Sequence, residues 1–375
     1  MPDRKLQIVE SLSQIAQAEW DSLAGNNPTL SHAFLDSLHS SGCASAATGW
    51  APRYLTLWQG EQLRGAMPLY VKSHSYGEFV FDWAWAEAYA RHGLRYYPKL
   101  LGAVPFTPCS GTRLLARDAT DRVLLLRAAL DMAQDSDVSS LHILFPGESE
   151  ALLMQDAGMM LRTTIQFHWN NAGYASFTDY LATMSHDKRK KIRQERRRVA
   201  DAGIGFEQRV GSDIGEPDWD FFMSCYHRTY REHGSTPYLN RAFFNALARR
   251  MPENLLLVIA YREGKPIASA LNLFNADTFY GRYWGAQEFH SGLHFETCYY
   301  QALEFCIARK IGIFEGGAQG AHKLARGLLP VKTWSAHWLK EPAFANAVED
   351  YLSRESGSIE TRLDELQESS PFKGE

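Results

Sequence analysis

In the first part of the chain, some segments repeat apolar residues at the period of a strand and others at the period of a helix. Helical spacing of apolar residues covers residues 13–24 and 30–41. A polar turn, Gln59-Gly60-Glu61-Gln62, separates two apolar runs and indicates a β-hairpin. The strands predicted here are residues 5–12, 53–58 and 63–71, with a third meander strand near 76–83.

The pattern then changes to alternating helices and strands. An amphipathic helix is predicted over residues 119–134 and a second helix over 148–157, ended by Gly158. Strands are predicted at 139–145 and 160–169. This order of elements is typical of an α/β unit of about 165 residues.

The second half repeats this arrangement. A hairpin over residues 253–261 and 266–274 is followed by a strand near 278–286, and aligning Gly65 with Ala268 superimposes the two meanders. We interpret this as an internal duplication of an α/β fold. The predicted domains are residues 1–165, residues 166–340 and a C-terminal helical segment, 341–375. Further helices are predicted near 217–233 and 240–250, and a strand is predicted over 334–339.

A strongly basic helix is predicted at residues 186–200, at the start of the second domain. Eight of the eleven residues from Lys188 to Arg198 are Lys or Arg. Like charges at this density repel, so the helix face is either solvated or matched to a polyanion. The functional interpretation is a phosphate-bearing substrate: a nucleotide sugar, a coenzyme or an RNA backbone.

Composition narrows the class of protein without naming a function. With 45% hydrophobic and 22% charged residues, the 375-residue chain is globular and long enough for two domains. The five cysteines form no CxxC pair, and no motif predicts a metal site. Because we find no signal-like start and no apolar run of about 18 residues, we expect a soluble, cytoplasmic protein.

A glycine-rich stretch from Phe314 to Gly327 concentrates the candidate chemistry. It follows a short apolar run and carries a carboxylate, an amide, an imidazole, an ammonium and a guanidinium group. A solvated strand-to-helix turn is the simpler interpretation. The alternative is acyl transfer to an amine, in which Lys323 and glycine N–H groups stabilise the oxyanion. His294, Glu296, Glu315 or His322 would then accept the amine proton.

Aromatic and charged residues are also mixed in the first domain. The stretch from Phe81 to Lys99 contains several Trp and Tyr residues, which are either core residues or the lining of a pocket. The prolines in the loop from Pro105 to Arg113 predict a rigid backbone, and the loop is expected to face the same pocket.

With these residues assembled, the chain resembles the Fem-type branch of the GNAT acyltransferase superfamily, specifically the FemAB-like proteins. The resemblance covers nearly the whole length. It rests on the duplicated unit, on the basic segment, on the Gly316-Gly317 stretch that leads to His322-Lys323, and on further motifs: Asp82-Trp83-Ala84-Trp85-Ala86, Tyr97-Pro98-Lys99-Leu100, Pro105-Phe106-Thr107-Pro108, Leu293-His294-Phe295-Glu296 and Gly317-Ala318-Gln319-Gly320.

The resemblance implies a tandem duplication of a GNAT-like domain, with mixed sheets flanked by helices. It also implies a lysine, Lys323 here, that stabilises the transition state of acyl transfer. Fem enzymes take an amino acid from aminoacyl-tRNA and add it to a cell-wall precursor, whereas ordinary GNAT enzymes use acyl-CoA held by a (Gln/Arg)-x-x-Gly-x-(Gly/Ala) loop. Residues 90–95 and 289–294 depart from that loop at its first and last positions, which weakens the coenzyme A interpretation.

The leading hypothesis is therefore a Fem-like aminoacyltransferase that acts on an amine of a cell-wall precursor or small molecule. An acyl-CoA-dependent N-acyltransferase is the second, and a non-catalytic protein that binds RNA or a peptidoglycan precursor is the third. No tightly bound cofactor is expected, and aminoacyl-tRNA or acyl-CoA would be the co-substrate. The predicted catalytic residues are Lys323, Glu296 and His294. The predicted substrate-binding residues are Asp82, Trp83, Glu87, Lys99, Arg113, Lys188, Arg189, Arg193, Tyr283, Trp284, Glu315, Gln319, His322 and Arg326.

Overall fold

The computed structural model describes residues 4–318, 320 and 322–373. Contacts along the chain define two compact units. Unit 1 comprises Met1–Ile165 and Lys332–Arg362, and unit 2 comprises Gln166–Val331 and Leu363–Glu375. The chain thus returns to unit 1 after residue 331, inside the segment that the sequence pattern grouped with the second domain. The division into two ancestral copies and a C-terminal segment stays a prediction, because contacts define compactness and not ancestry.

Strands and helices alternate along both units. The strands are β1 Lys5–Val9, β2 Trp50–Pro52, β3 Tyr54–Gln59, β4 Gln62–Met67, β5 Leu69–Lys72, β6 Lys99–Gly102, β7 Leu115–Ala116, β8 Ser140–Leu144, β9 Met160–Asn170, β10 Ile204–Val210, β11 Leu255–Arg262, β12 Lys265–Phe274, β13 Thr278–Ala286, β14 Ile313–Glu315 and β15 Leu329–Leu339.

The helices are α1 Gln17–Ala24, α2 His32–Ser40, α3 Trp83–Arg91, α4 Ala119–Asp135, α5 Glu148–Asp156, α6 Phe177–Thr183, α7 His186–Asp201, α8 Glu216–Glu232, α9 Arg241–Arg250, α10 Leu293–Phe295, α11 Gln301–Arg309 and α12 Pro342–Glu368. The helices predicted from periodicity in the middle of the chain are confirmed as α4, α5, α7, α8 and α9. Among the described residues, no helix is long and apolar enough to cross a membrane.

Unit 1 contains two sets of paired strands. The first has the order β1-β3-β4-β7, and the second has the order β15-β8-β6-β5-β2. All pairs with a known register are antiparallel except β6 and β8, which are parallel and connected through α4. Apolar side chains of α4, including Leu125 and Ala129, pack with Leu100 and Ile143 of these strands. Asp118 caps α4 by accepting a hydrogen bond from the Asp121 N–H at 2.8 Å.

Unit 2 has the strand order β10-β11-β12-β13-β14-β9. Every described pair in this series is antiparallel except β13 with β14, which are parallel and connected through α10 and α11. Each unit therefore contains an antiparallel hairpin and one parallel pair joined by a helix. This confirms the predicted mixed α/β fold class with sheets flanked by helices.

Two predicted strands of unit 1 differ from the structure. Residues 76–82 form a loop and Trp83 begins α3, so the predicted third meander strand is wrong. Gly77 and Phe79 have φ angles of +82° and +64° there, which no strand accommodates. The predicted strand 63–71 is divided into β4 and β5 at Pro68, because proline has no N–H to donate to a neighbouring strand.

Candidate active site

The parallel strands of unit 2 separate after a short paired stretch. Residues 278–280 of β13 pair with Ile313–Glu315, where β14 ends, while β13 continues to Ala286. The register between β12 and β13 also shifts between Leu271 and Asn272, so β13 carries a bulge. A bulge bends a strand and strengthens its twist. A gap therefore opens between β13 and the chain that follows β14.

A pocket of about 120 Å³ lies at this gap. Its lining residues come from β12, β13, the helical segment before α11, and the end of β14: Ala270, Asn272, Gly281, Arg282, Tyr283, Trp284, His294, Cys298, Tyr299, Phe314 and Gly316. At about 30 Å³ for each molecule of liquid water, the pocket has room for about four waters. It therefore suits a reacting group with a few non-hydrogen atoms.

A π-helical turn forms the helical wall of the pocket. This turn, Glu296–Tyr300, lies between α10 and α11 and contains Cys298 and Tyr299. Single π turns inside helices widen the helix and are frequent at functional sites. The turn and the adjoining α10 bring His294, Cys298 and Tyr299 to the same pocket.

Lys323 lies in a turn over residues 322–327, the last part of the glycine-rich stretch, and is only 7% exposed. Its Nζ donates a hydrogen bond to the carbonyl oxygen of Gly316, a pocket residue. Burial lowers the pKa of Lys323 to about 8, against an opposing effect of Cys298. The side chain is therefore still largely protonated at pH 7 and places a poorly solvated cation at the end of the pocket.

Gly316 has no room for a larger residue. A Cβ atom there would lie 2.3 Å from Leu328 Cδ2 and 2.9 Å from the carbonyl oxygen of Phe167. The Gly316 N–H donates to that same Phe167 oxygen at 2.9 Å. The glycine thus allows the close approach of β9 and of the Lys323 turn.

The two histidines predicted for the site are neutral at pH 7. Burial, together with the nearby His322, Arg326 and Lys323, lowers the pKa of His294 to about 4. Burial, Arg326 and Lys323 also lower the pKa of His322, whose Nε2 lies 3.1 Å from the Tyr299 hydroxyl. The two imidazole rings are 6.1 Å apart. Both can accept a hydrogen bond from a substrate N–H.

Arg326 supports the Lys323 turn from within the protein. Its Nη2 donates to Glu195 Oε1 and Oε2 at 2.9 and 2.8 Å, and its Nη1 donates to the His322 carbonyl oxygen at 2.6 Å. Its guanidinium carbon lies 3.3 Å from the centre of the Phe295 ring. Arg326 is only 3% exposed, so in this structure it is a structural ion-pair partner.

The carboxylate of Glu296 is also held by hydrogen bonds within the protein. Arg196 Nε donates to both of its carboxylate oxygens at 3.1 and 3.0 Å, and Gln301 Nε2 donates to Oε1 at 3.0 Å. Arg196 Nη1 also donates to Glu304 Oε1 at 2.6 Å. Both oxygens of this buried carboxylate therefore already accept N–H donors, and in this structure Glu296 is an ion-pair partner of Arg196.

The outer face of α7 is cationic. Ile192, Glu195 and Val199 are buried, whereas Lys190, Lys191, Arg193, Arg197 and Arg198 are exposed and Lys188 and Arg189 are half-buried. Within the part of the chain that the structure describes, these seven basic side chains have no acidic partner within 4.0 Å. The predicted basic helix therefore presents unpaired charge to solvent.

The residues predicted in unit 1 form a separate group. Lys99 is fully buried, and its Nζ donates to Ser75 Oγ and Glu78 Oε2 at 2.8 Å each and to Asp82 Oδ2. Burial alone would raise the pKa of Asp82, but Lys99 holds it well below its ordinary value. The Tyr96 hydroxyl donates to Asp82 Oδ2 at 2.6 Å. The group is thus a buried ionic network.

The remaining predicted residues of unit 1 are divided between surface and core. Trp83 is 42% exposed and Glu87 is exposed. Arg113 is buried, and its donors bind the carbonyl oxygens of Cys109, Gly111, Thr112 and Leu144. In this structure Arg113 therefore fixes the loop before β7.

In unit 2 the structure brings Tyr283, Trp284 and His294 to the pocket, with His322 and Lys323 adjacent to it. Glu315 is half-buried at the end of β14, opposite His168 of β9. Gln319, also predicted for the site, lies outside the described residues.

Sequence reasoning missed Asn272, Cys298, Tyr299 and His168. Burial and Lys323 lower the pKa of His168 to about 4. No motif in the sequence sets Cys298 apart from a core residue, and only the π turn shows that it reaches the pocket.

Unit 2 is thus a mixed α/β unit whose parallel strands separate around a small pocket, and the buried Lys323 contacts one of the residues that line it. The model of the FemAB-like family, described as peptidoglycan biosynthesis/recognition, matches residues 11–374. The chain belongs to this family and is an enzyme of the acyl- or aminoacyltransferase class. No curated protein matches the sequence.

Solved structures share the fold at low identity. The C-terminal domain of a putative lysylphosphatidylglycerol synthetase from Agrobacterium fabrum is 10% identical with a TM-score of 0.56, covering 89% of this chain and 95% of that one. FemX is 12% identical with a TM-score of 0.56, covering 89% and 98%. L-PGS from Bacillus licheniformis is 10% identical with a TM-score of 0.55, covering 90% and 96%. At such identities the likeness extends to the fold alone.

Proposed function

We propose that this protein transfers an aminoacyl group from aminoacyl-tRNA to an amine, with Lys323 as the electrostatic catalyst. The observation that carries the proposal is the buried, protonated Lys323 held against Gly316 at the end of the pocket. A cation in a site with little water stabilises a developing oxyanion far more than one in bulk solvent. Lys323 therefore acts in the transition state, in which the carbonyl oxygen gains negative charge.

The reaction forms one bond and breaks another. The nitrogen lone pair of the acceptor attacks the carbonyl carbon of the donor, forming a C–N bond and placing negative charge on the carbonyl oxygen near Lys323 Nζ. Collapse of this intermediate breaks the bond to the carrier oxygen, and the amine proton leaves to restore the carrier hydroxyl. His294 and His322 are neutral and can accept the hydrogen bond of the attacking amine.

The cationic face of α7 supports a carrier with several phosphates. From Lys188 to Arg198 the helix extends about 15 Å, at about 1.5 Å for each residue. That length matches successive phosphates of an RNA backbone, whereas coenzyme A carries its phosphates at one end. Acyl-CoA transfer remains the second candidate donor chemistry, because the same cations suit any phosphate group.

The acceptor is proposed from the family alone. Its description, peptidoglycan biosynthesis/recognition, supports an amine of a cell-wall precursor peptide. Small-molecule amines form the second class to test.

The donor is tested by incubating the wild-type protein with tRNA charged with radiolabelled amino acids, or with radiolabelled acetyl-CoA, and a panel of precursor peptides and amines. Label transferred from charged tRNA to an amine is the expected result. Label transferred only from the thioester would contradict the tRNA-dependent reaction. Absence of transfer from both donors to any acceptor would contradict the proposed activity itself.

The α7 assignment is tested separately through salt dependence. We expect the affinity for tRNA to fall steeply as the salt concentration rises. In Arg193→Ala, the slope of log K against log salt concentration should become shallower, by the amount that about one phosphate contact contributes. Lys265→Ala, an exposed lysine on the β11–β12 hairpin, is the matched control. A flat salt response would contradict RNA binding by this face.

A further inference from the structure

Two adjacent residues on the inner side of α7 each bind a segment that lies next to the pocket. Glu195 binds Arg326 of the Lys323 turn, and Arg196 binds Glu296 of the π turn. The first ion pair is largely shielded from solvent, since the side chains of Glu195 and Arg326 are 11% and 3% exposed, whereas Arg196 in the second is 28% exposed. One helix therefore fixes both segments that form the site in unit 2.

The Glu195 side of this arrangement converges on the turn of Lys323. Glu195 also accepts a hydrogen bond from the Tyr300 hydroxyl. Arg326 in turn donates to the carbonyl oxygen of His322, the residue before Lys323, at 2.6 Å. One ion pair and one hydrogen bond thus connect Glu195 to the backbone of the residue before Lys323.

The turn has a second restraint at the backbone of the same arginine. The Tyr180 hydroxyl donates to the Arg326 carbonyl oxygen at 2.6 Å. A side chain at Gly327, which has a φ angle of +83°, would place its Cβ 1.9 Å from that hydroxyl oxygen. The backbone on both sides of Arg326 is therefore closely packed, and the Arg326 side chain ties it to α7.

We propose that Glu195 is the positioning residue for Lys323: by holding Arg326, it fixes the turn that keeps Lys323 Nζ against Gly316. Glu195 is not one of the residues that line the pocket, and it reaches the Lys323 turn through Arg326. Its removal leaves the guanidinium of Arg326 buried without a counter-charge, which favours displacement of the turn toward water. The catalytic part of this role rests on the proposed function of Lys323, whereas the structural part does not.

The structural part is tested by covalent labelling of lysines with an amine-reactive acetylating reagent, followed by mass spectrometry. In the wild type, Lys323 should label much more slowly than the exposed Lys265. In Glu195→Gln we expect the labelling rate of Lys323 relative to Lys265 to rise at least fivefold. Glu207→Gln, which removes an exposed carboxylate of the same unit, is the charge-matched control and should leave the ratio unchanged.

The neighbouring ion pair separates positioning from general stability. Arg196→Gln breaks the contacts with Glu296 and Glu304 and should lower the melting temperature without exposing Lys323. If Glu195→Gln is folded and Lys323 keeps its wild-type labelling rate, the proposal is overturned. Should Glu195→Gln fail to fold, Glu195→Asp takes its place, because it retains the charge but is one methylene shorter. The labelling rate of Lys323 relative to Lys265 is then compared with the wild type in the same way.

The catalytic part is tested by steady-state kinetics once a donor is known. Glu195→Gln should lower kcat at least tenfold with less than a threefold change in the KM of the donor, and Glu195→Asp should recover part of kcat. Equal activity of wild type and Glu195→Gln would overturn the catalytic role of the positioning. Absence of transferase activity in the wild type would instead contradict the proposed function, and the labelling result would still decide the structural role.

Discussion

Lys323 donates a hydrogen bond from its ammonium group to the carbonyl oxygen of Gly316, seven residues earlier in the chain. The contact holds the cation next to the residue that follows the end of β14. A carbonyl oxygen is a neutral acceptor, so the positive charge is not cancelled by a carboxylate. It remains available to stabilise negative charge that develops on a substrate.

The pH dependence of the reaction follows from this buried cation. The catalytic form of Lys323 is the protonated one, and its pKa is lowered to about 8. The attacking nitrogen needs its lone pair, so the measured rate is first divided by the unprotonated fraction of the acceptor amine. We expect this corrected rate of the chemical step to be level near pH 7 and to fall tenfold for each pH unit well above 8. Single-turnover rates between pH 6 and 10 measure this, and a corrected rate that stays level above pH 9 would contradict a protonated catalyst.

Gly316→Ala should damage both stability and activity. The added methyl group would lie 2.9 Å from the Phe167 carbonyl oxygen and 2.3 Å from Leu328 Cδ2, so the backbone at Gly316 or at β9 must shift. Overpacking of this kind costs about 1–3 kcal/mol in the free energy of unfolding. Urea unfolding measures the loss. Gly205→Ala on β10 is the control, because a Cβ there meets no atom within 4 Å. Equal stability of the two variants would disprove the tight approach at Gly316.

Lys99→Met should destabilise unit 1 strongly. The change leaves the carboxylates of Glu78 and Asp82 buried without their shared cation, and breaking a buried ion pair on one side costs about 3–5 kcal/mol. Urea unfolding is again the measurement, with the exposed Lys5→Met as the control. A loss below about 1 kcal/mol would show that the network is hydrated and not structural.

Much of the fold could be predicted from the sequence because periodicity is a local signal. The helices α4, α7 and α8 and the strand β13 lie within one or two residues of their predicted bounds. The loop over residues 76–82 could not be predicted, because Glu78 and Asp82 point inward to bind Lys99, which lies beyond α3 and 17 to 21 residues later. An alternating pattern does not reveal such a distant partner.

The candidate site was predictable to the extent that its chemistry is local. Lys323 follows a strand end and three glycines, and this spacing pointed to it without a structure. The occupation of Glu296 by Arg196 could not be read from the sequence, because their ion pair spans 100 residues. The contribution of Cys298 depended on the π turn, which has no sequence signature of its own.

The measurement that tests the central claim most directly is the single-turnover rate of transfer in Lys323→Met beside the control Lys265→Met. We expect a loss of about 10²–10³-fold in the first, the size found when one oxyanion-stabilising donor is removed, and wild-type rates in the second. Donor binding should be unchanged in both. A Lys323→Met protein that transfers at more than a third of the wild-type rate would contradict the catalytic role of Lys323.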